Sequence, residues 1–399
     1  MNRLAQISLL VFAFVLPWED SLLLPGIGSL GRVSGLLLLV FALPSLFRGN
    51  RLKLRLPSLF IIVMLLFVVW SSLSMFWSLD PGSTLTHAMS RVQLFALAFL
   101  VWQLVDRPER ADPVMRAYVL GCYVAIGSAI FNLLTGTEYV YQRYSATGTD
   151  PNDFATMLAL GIPMAWLLVV RGRQGIWFWP MLLYLPAVLG AILLTSSRGG
   201  AIVTLLALLV VPLTMRHLDV PRRLAFWFMV GVGGLGAIYA APLVIDTVQG
   251  SIQRLSSTAS EVASGTLNER ADIWDAGFRL LEDNTMLGVG AGAFEQSVTP
   301  YAGLPKIAHN TYISVLVELG PLGLLLFVSA LLAAALPLLR LPGPERAILL
   351  VLGVTLAVAL VPLTWEIRKV TWFVLVLMTT YGTVVVAPNF RPAKLAASA

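Results

Sequence analysis

Ala308-His309-Asn310-Thr311-Tyr312-Ile313-Ser314-Val315-Leu316-Val317-Glu318-Leu319-Gly320-Pro321-Leu322-Gly323 runs directly into the apolar stretch Leu324-Leu325-Leu326-Phe327-Val328. The whole is long enough to cross a bilayer, which takes ~20 apolar residues for ~30 Å of hydrocarbon. It opens on one titratable imidazole. Spanning a bilayer needs no histidine, and a polar ring at the boundary costs little only where it faces water, a partner or a substrate. A membrane helix with a functional group at its mouth is the reading from which the rest follows.

The composition agrees: 58% of the 399 residues are apolar and 12% charged, with mean hydropathy +0.83, against roughly 25% charged residues in soluble domains. An all-α, polytopic membrane protein is expected. The one cysteine, Cys122, allows no intrachain disulfide and no cysteine-based metal cluster. His87, His217 and His309 lie far apart and in no metal-ligand spacing, so no metal is expected.

About twelve transmembrane helices are expected, over 4–18, 30–47, 57–77, 84–104, 114–134, 152–170, 176–194, 201–215, 224–244, 309–338, 347–365 and 371–388. The first follows Arg3 as a signal peptide would, but it has no small-x-small cleavage site and ends in Pro17-Trp18-Glu19-Asp20, so it is read as a helix. Basic residues set the orientation. With cytoplasmic N- and C-termini, the inner loops hold Arg48, Arg51, Lys53, Arg55, Arg107, Arg110, Arg171, Arg173, Arg216, Arg222, Arg223, Arg340, Arg346, Arg391 and Lys394. The outer connections at 19–29 and 78–83 hold none, and the others carry Arg143, Arg198, Arg254, Arg270, Arg279, Lys306, Arg368 and Lys369. The net charge of +6 is mostly this bias and calls for no nucleic acid.

Residues 1–399 read as a single integral membrane domain, and the large loop 245–308 within it lies outside the cytoplasm. Loops of that length are usually functional or disordered. This one carries helix signals: Thr266-Leu267-Asn268-Glu269 fits a capping box, and Ile273, Trp274, Gly277, Phe278 and Leu281 recur at helical spacing.

Candidate chemistry gathers on the outer side. Arg198 occupies the tight turn Thr195-Ser196-Ser197-Arg198-Gly199-Gly200, where glycines allow close approach and a helix start offers amide donors to a phosphate; the alternative is a loop arginine bonded to carbonyls or headgroups. Arg270 falls in the first turn of the loop helix, where a cation is disfavoured unless an anion is near; Glu269 or Asp272 would be a structural partner, a ligand the functional one. His309 is either a satisfied structural histidine or a neutral base kept unprotonated by the helix N-terminus. Arg91 lies deep in the fourth span and could line a cavity, whereas Arg32 and Arg116 snorkel or pair. Gly288-Val289-Gly290-Ala291-Gly292-Ala293-Phe294 follows no strand and opens no βαβ unit, so it is not read as a nucleotide loop.

Taken in order, Gly148-Thr149-Asp150-Pro151-Asn152-Asp153-Phe154-Ala155, the Arg198 turn, Asn268-Glu269-Arg270 with Trp274, the 288–294 glycine loop, and His309-Asn310-Thr311-Tyr312 with Glu318-Leu319-Gly320 resemble the bacterial O-antigen ligase and polymerase superfamily over about residues 148–325. The resemblance implies a glycosyltransferase with a lipid-linked donor, in the ligases a polysaccharide on undecaprenyl diphosphate moved to a sugar hydroxyl of lipid A-core. It assigns His309 as the catalytic base and Arg198 and Arg270 as the diphosphate ligands. Arg91, Arg143, Asn152, Trp274, Lys306, Asn310 and Tyr312 are candidates for lining the substrate cavity. Direct displacement would invert the anomeric carbon, and the activated donor removes the need for metal, nucleotide or other cofactor. Membrane lipids are the remaining partners. The implied place is the bacterial inner membrane, multi-pass, with the active site periplasmic. A polymerase joining lipid-linked repeat units is the alternative; a transporter or flippase would spread its charges along a path through the membrane rather than gather them at one face.

Overall fold

Proline and glycine cut the apolar sequence into helices, and the computed structural model describes residues 3–26, 28–48, 51–52, 54–137, 143–172, 175–235, 270–284 and 286–385. The helices are α1 (Arg3–Val15), α2 (Leu30–Ala42), α3 (Leu59–Leu73), α4 (Pro81–Leu104), α5 (Pro108–Thr135), α6 (Pro151–Arg171), α7 (Phe178–Thr195), α8 (Arg198–Leu208), α9 (Val210–Thr214), α10 (220–235), α11 (Arg270–Glu282), α12 (Phe294–Ser297), α13 (Thr299–Ala302), α14 (Thr311–Ala335), α15 (Gly343–Ala359) and α16 (Lys369–Val385). Two antiparallel ladders of two residues a strand are the only strands among the described residues. Proline at the first turn of α4, α5 and α6 costs no hydrogen bond.

Each expected span contains helix, although 236–244 of the ninth lies outside the described residues, as does the proposed capping box at 266–269. By length and composition seven helical stretches are fit to cross a membrane: Leu59–Phe76, Pro81–Leu104, Glu109–Thr135, Pro151–Arg171, Gly175–Thr195, Arg198–His217 and Thr311–Arg340. Arg3–Trp18, Leu30–Leu46 and Lys369–Val384 are apolar but shorter. The chain is thus an all-α polytopic membrane protein, and fewer than twelve of its described helices reach crossing length.

Burial separates one helix from the rest. In α6, 94% of the apolar window is buried, against 33–44% in the other six. Helices α5, α7, α8 and α15 surround it. The other six leave much of their apolar surface for lipid, whereas α6 leaves almost none. Pro163 removes one of its internal hydrogen bonds. In the turn before it, the carbonyls of Met157 and Leu158 accept from Tyr118 Oη (2.9 Å) and Tyr184 Oη (2.7 Å).

The loops sort into two ends. At one, Arg171 joins Asp112 (2.9 Å), Glu345 (3.6 Å) and Tyr381 Oη, fastening α6 to α5, α15 and α16. Arg55 stacks over Trp102 and donates to its carbonyl at this end. At the other end, Arg368 reaches Asp20 (3.3 Å) and Lys369 reaches Glu19 (2.7 Å), tying the loop after α15 to the loop after α1.

Helix α14 is broken at Gly320, whose φ of 68° and ψ of −175° are not helical, and Pro321 has no N–H to offer. The loop 286–293 lies in this break. Val289 N donates to Val317 O (3.0 Å) and Gly290 N to Glu318 O (2.9 Å), while Trp70 Nε1 reaches Leu319 O (2.9 Å). The glycine loop rejected as a nucleotide site is therefore a structural key for an interrupted membrane helix. Gly288 must be glycine: its φ is +72°, and a Cβ would stand 2.5 Å from Glu318 O.

Arg91, expected to line a cavity, is only 1% exposed. It pairs with Glu318 (3.4 Å) and donates to Ser71 Oγ (2.7 Å). Pairing removes most of the insertion cost of about 2.5–3.5 kcal/mol for a lone arginine.

Gly288→Ala should lower thermal stability in detergent by several degrees, since left-handed φ alone costs about 1–2 kcal/mol in a residue with a Cβ. Gly127→Ala, at a helical glycine with nothing within 4 Å of an added Cβ, should leave the melting temperature unchanged or raise it, because alanine is the better helix former. Equal stability of the two variants would contradict the role of the loop.

Candidate functional site

The N-terminus of α6 supplies the floor of the site. Asp150 caps the helix, its Oδ1 accepting from Asn152 N (2.7 Å) and Asp153 N (3.4 Å). Asp153 turns inward and accepts from Trp365 Nε1 (2.8 Å) and from Arg368. Asn152 turns to the neighbouring turn: its Oδ1 accepts from Ser197 Oγ (2.7 Å) and from an Arg143 terminal nitrogen (3.1 Å).

Two residues separate α7 from α8. Ser196 takes the left-handed conformation that ends α7, and Ser197 is extended and caps α8, accepting from Gly200 N at 3.0 Å. One of the amides expected to await a phosphate is thus used by the cap. Arg198 follows as the first helical residue. Gly199 sits against Pro362, where a Cβ would come to 3.3 Å of the ring, so the start of α8 faces the loop after α15.

That loop also seats the third helix start. Thr311 N donates to Leu360 O (2.9 Å) and Thr311 Oγ1 to Leu363 O (2.6 Å), and Trp365 N donates back to Thr311 Oγ1 (2.9 Å). Asn310 caps α14, accepting from Tyr312 N (3.0 Å) and Ile313 N (3.1 Å). Tyr312 points along the helix packing, its hydroxyl donating to Ala357 O (2.8 Å). Trp274 of α11 donates to Ala308 O (2.9 Å), which holds the helix carrying Arg270 beside the residue preceding His309.

His309 and Ser196 are the two described residues other than glycine with positive φ, at 45° and 48°. Such strain persists only where the surroundings over-determine it, and it concentrates at functional sites. Both lie here, one beside each candidate helix start. His309 is half-buried; burial, then the nearby Arg270 charge, holds its imidazole below the ordinary value of 6.5, while Asp150 pulls the other way. Burial likewise lowers Arg270, with Asp150 opposing. Asp150, Arg270 and His309 therefore share one electrostatic neighbourhood, and Arg198 adjoins it through the 360–368 loop.

Among the residues singled out from sequence, Arg143, Asn152, Arg198, Arg270, Trp274, His309 and Asn310 meet at this end. Lys306 precedes it in the same segment, half-buried. Arg91 is not among them; it belongs to the interior pair with Glu318. Of the structural partners weighed for Arg270, Glu269 lies outside the described residues; the acidic group with a resolved effect on Arg270 is Asp150. Asp150, Asp153, Trp365 and Arg368 were not anticipated as members. Asp-Pro before an apolar run is a legible helix cap, but no local pattern ties 150–153 to 365–368.

Residues 183–328 match the family model described as O-antigen ligase. The chain is 26% identical over 301 residues to the exopolysaccharide production protein ExoQ of Rhizobium meliloti (strain 1021), covering 67% of this chain. It spans 63% of that relative's length. The matched region contains the Arg198 turn, Arg270, the glycine loop and His309.

In protein with labelled histidine, the His309 resonance, assigned by its loss in His309→Gln, should titrate below 6.5. Removing the neighbouring cation favours the protonated ring, so Arg270→Gln should raise the midpoint; Asp150→Asn removes an anion and should lower it. An unchanged midpoint in both variants would separate His309 from these neighbours.

Proposed function

We propose, from the O-antigen ligase superfamily membership that the two matches support, that this chain transfers a polysaccharide from undecaprenyl diphosphate to a sugar hydroxyl of lipid A-core. One observation carries the reading: a half-buried imidazole held towards its neutral form and an arginine beside it lie where the starts of α6, α8 and α14 converge. Helix starts and arginines favour an anion there.

In this reading Arg198 and Arg270 hold the diphosphate. Guanidinium forks suit phosphate oxygens, and the charge they neutralise grows as the leaving group departs. His309 accepts the proton of the acceptor hydroxyl as its oxygen attacks the anomeric carbon. The bond from that carbon to the diphosphate oxygen breaks, and undecaprenyl diphosphate leaves with the electron pair. Attack opposite the leaving group inverts the configuration, and the imidazolium returns its proton to solvent or to the departing diphosphate. No step calls for a metal or a nucleotide. In this reading, which the bias of the basic loops supports, this end faces the periplasm and the chain lies in the inner membrane.

The exopolysaccharide name of the relative favours a second reading, a polymerase joining lipid-linked repeat units with the same donor chemistry. A deletion strain tells the two apart. Loss of a ligase leaves long lipid-linked polymer and no polymer-capped lipopolysaccharide; loss of a polymerase leaves single repeat units, some carried on the core.

Reconstitution with purified lipid-linked polysaccharide and lipid A-core, with chelator and without nucleotide, should give transfer. His309→Ala should cost about 10²–10⁴-fold in single-turnover rate, the usual worth of a general base, with donor binding near normal. The wild-type rate should fall only as pH drops through the lowered His309 value, below 6.5. Arg198→Lys and Arg270→Lys should keep more activity than the alanine variants and still be impaired. A His309→Ala rate within a few-fold of wild type would remove the base from the mechanism.

A further inference from the structure

Arg198 cannot aim at a ligand unless the turn before it is fixed. That turn has only Ser196 and Ser197 to reverse the chain, with φ, ψ of 48°, 29° and −88°, 112°. Left-handed backbone is disfavoured at serine, so something must hold it.

Within the turn, Ser197 N donates to Thr195 Oγ1 (3.1 Å); a further hold comes from outside it. Arg143 Nε donates to Thr195 O at 2.9 Å, placing a cation on the terminal carbonyl of α7. Its second nitrogen donates to Asn152 Oδ1, at 3.1 Å. The same oxygen accepts from Ser197 Oγ at 2.7 Å. One atom of Asn152 thus joins both ends of the turn, the Thr195 end through Arg143 and the Ser197 end directly. Asn152 is itself fixed, its N–H bonded to Asp150 at the start of the most buried helix.

We propose that Arg143 and Asn152 are positioning residues which set the direction of Arg198, and so tune lipid-diphosphate binding without touching the lipid. The inference rests on the reading of Arg198 as a diphosphate ligand. Arg143 uses two differently directed donors of one rigid fork, which a lysine cannot reproduce. A helix-capping role alone predicts loss of stability; direct substrate contact predicts loss of affinity whatever stands at 198.

A double-mutant cycle separates these. The full chain in detergent is titrated with undecaprenyl diphosphate, with thermal stability followed in parallel. Arg143→Lys and Asn152→Leu should each weaken binding about tenfold when Arg198 is present and less than about twofold in Arg198→Ala, because contacts that act as one unit do not add. Asn152→Asp keeps an acceptor for both donors and should stay within about threefold of wild type. Ser197→Ala cuts the same link from the other side and serves where Arg143→Lys yields no folded protein. Equal losses with and without Arg198, or lowered stability at unchanged affinity, would overturn the inference. Wild-type affinity in Arg198→Ala would overturn the diphosphate reading of Arg198 and this inference with it.

Discussion

An interrupted helix sets the terms for this structure. Gly320 and Pro321 free the carbonyls of Val317, Glu318 and Leu319 in a segment buried inside the protein, where an unsatisfied backbone group costs several kcal/mol. Irregular backbone at such a place survives only if other protein groups satisfy it. Val289 N, Gly290 N and Trp70 Nε1 do so. The 286–293 loop is consequently locked to α14 and, through Leu79 N to Val289 O (2.9 Å) and Ala291 N to Ser74 Oγ (3.0 Å), to the connection between α3 and α4. The side chain of Glu318 completes the arrangement by pairing with Arg91, so a single residue anchors both the loop and the fourth helix.

From that lock the rest of the candidate-site end follows. The loop continues into α12 and α13, which hold α11 against α14. Trp274 then fixes α11 to Ala308, bringing Arg270 beside His309. On the other flank, burial of α6 confines its charged groups to its two ends, and the polar groups at its start do separate work. Asp150 caps, Asn152 braces the Arg198 turn, and Asp153 holds Trp365 and Arg368. Glu366, buried in the same loop, has its carboxyl raised by burial and by Glu318 nearby. Three helix starts are thereby bound to one short connection, residues 360–368.

Much of this was legible in the sequence. Apolar runs located the helices because hydrocarbon admits little else, and glycines marked the Arg198 boundary, whereas the capping role of Asn310 emerged only from the structure. His309 stood out because a lone imidazole has no reason to open a membrane helix. What stayed hidden depends on partners distant in the chain. Arg91 looked like a cavity residue because Glu318, 227 positions away, was not known to face it. The glycine loop had no assigned purpose, because its function is to fit a break some thirty residues on. Helix length was the other shortfall: α1 and α2 read as full spans by hydropathy, yet run into short 3₁₀ segments before reaching crossing length, while α16 is helical to Val385, the last described residue.

The central claim is that this end of the molecule binds a lipid diphosphate between two arginines, within reach of a neutral imidazole. A structure of the full chain with undecaprenyl diphosphate bound tests it most directly. The account predicts diphosphate oxygens within hydrogen-bonding distance of both the Arg198 and Arg270 guanidinium groups, with His309 facing an open space beside them large enough for a sugar hydroxyl. A diphosphate seated instead among Arg55, Arg110 and Arg171 at the opposite end would contradict it.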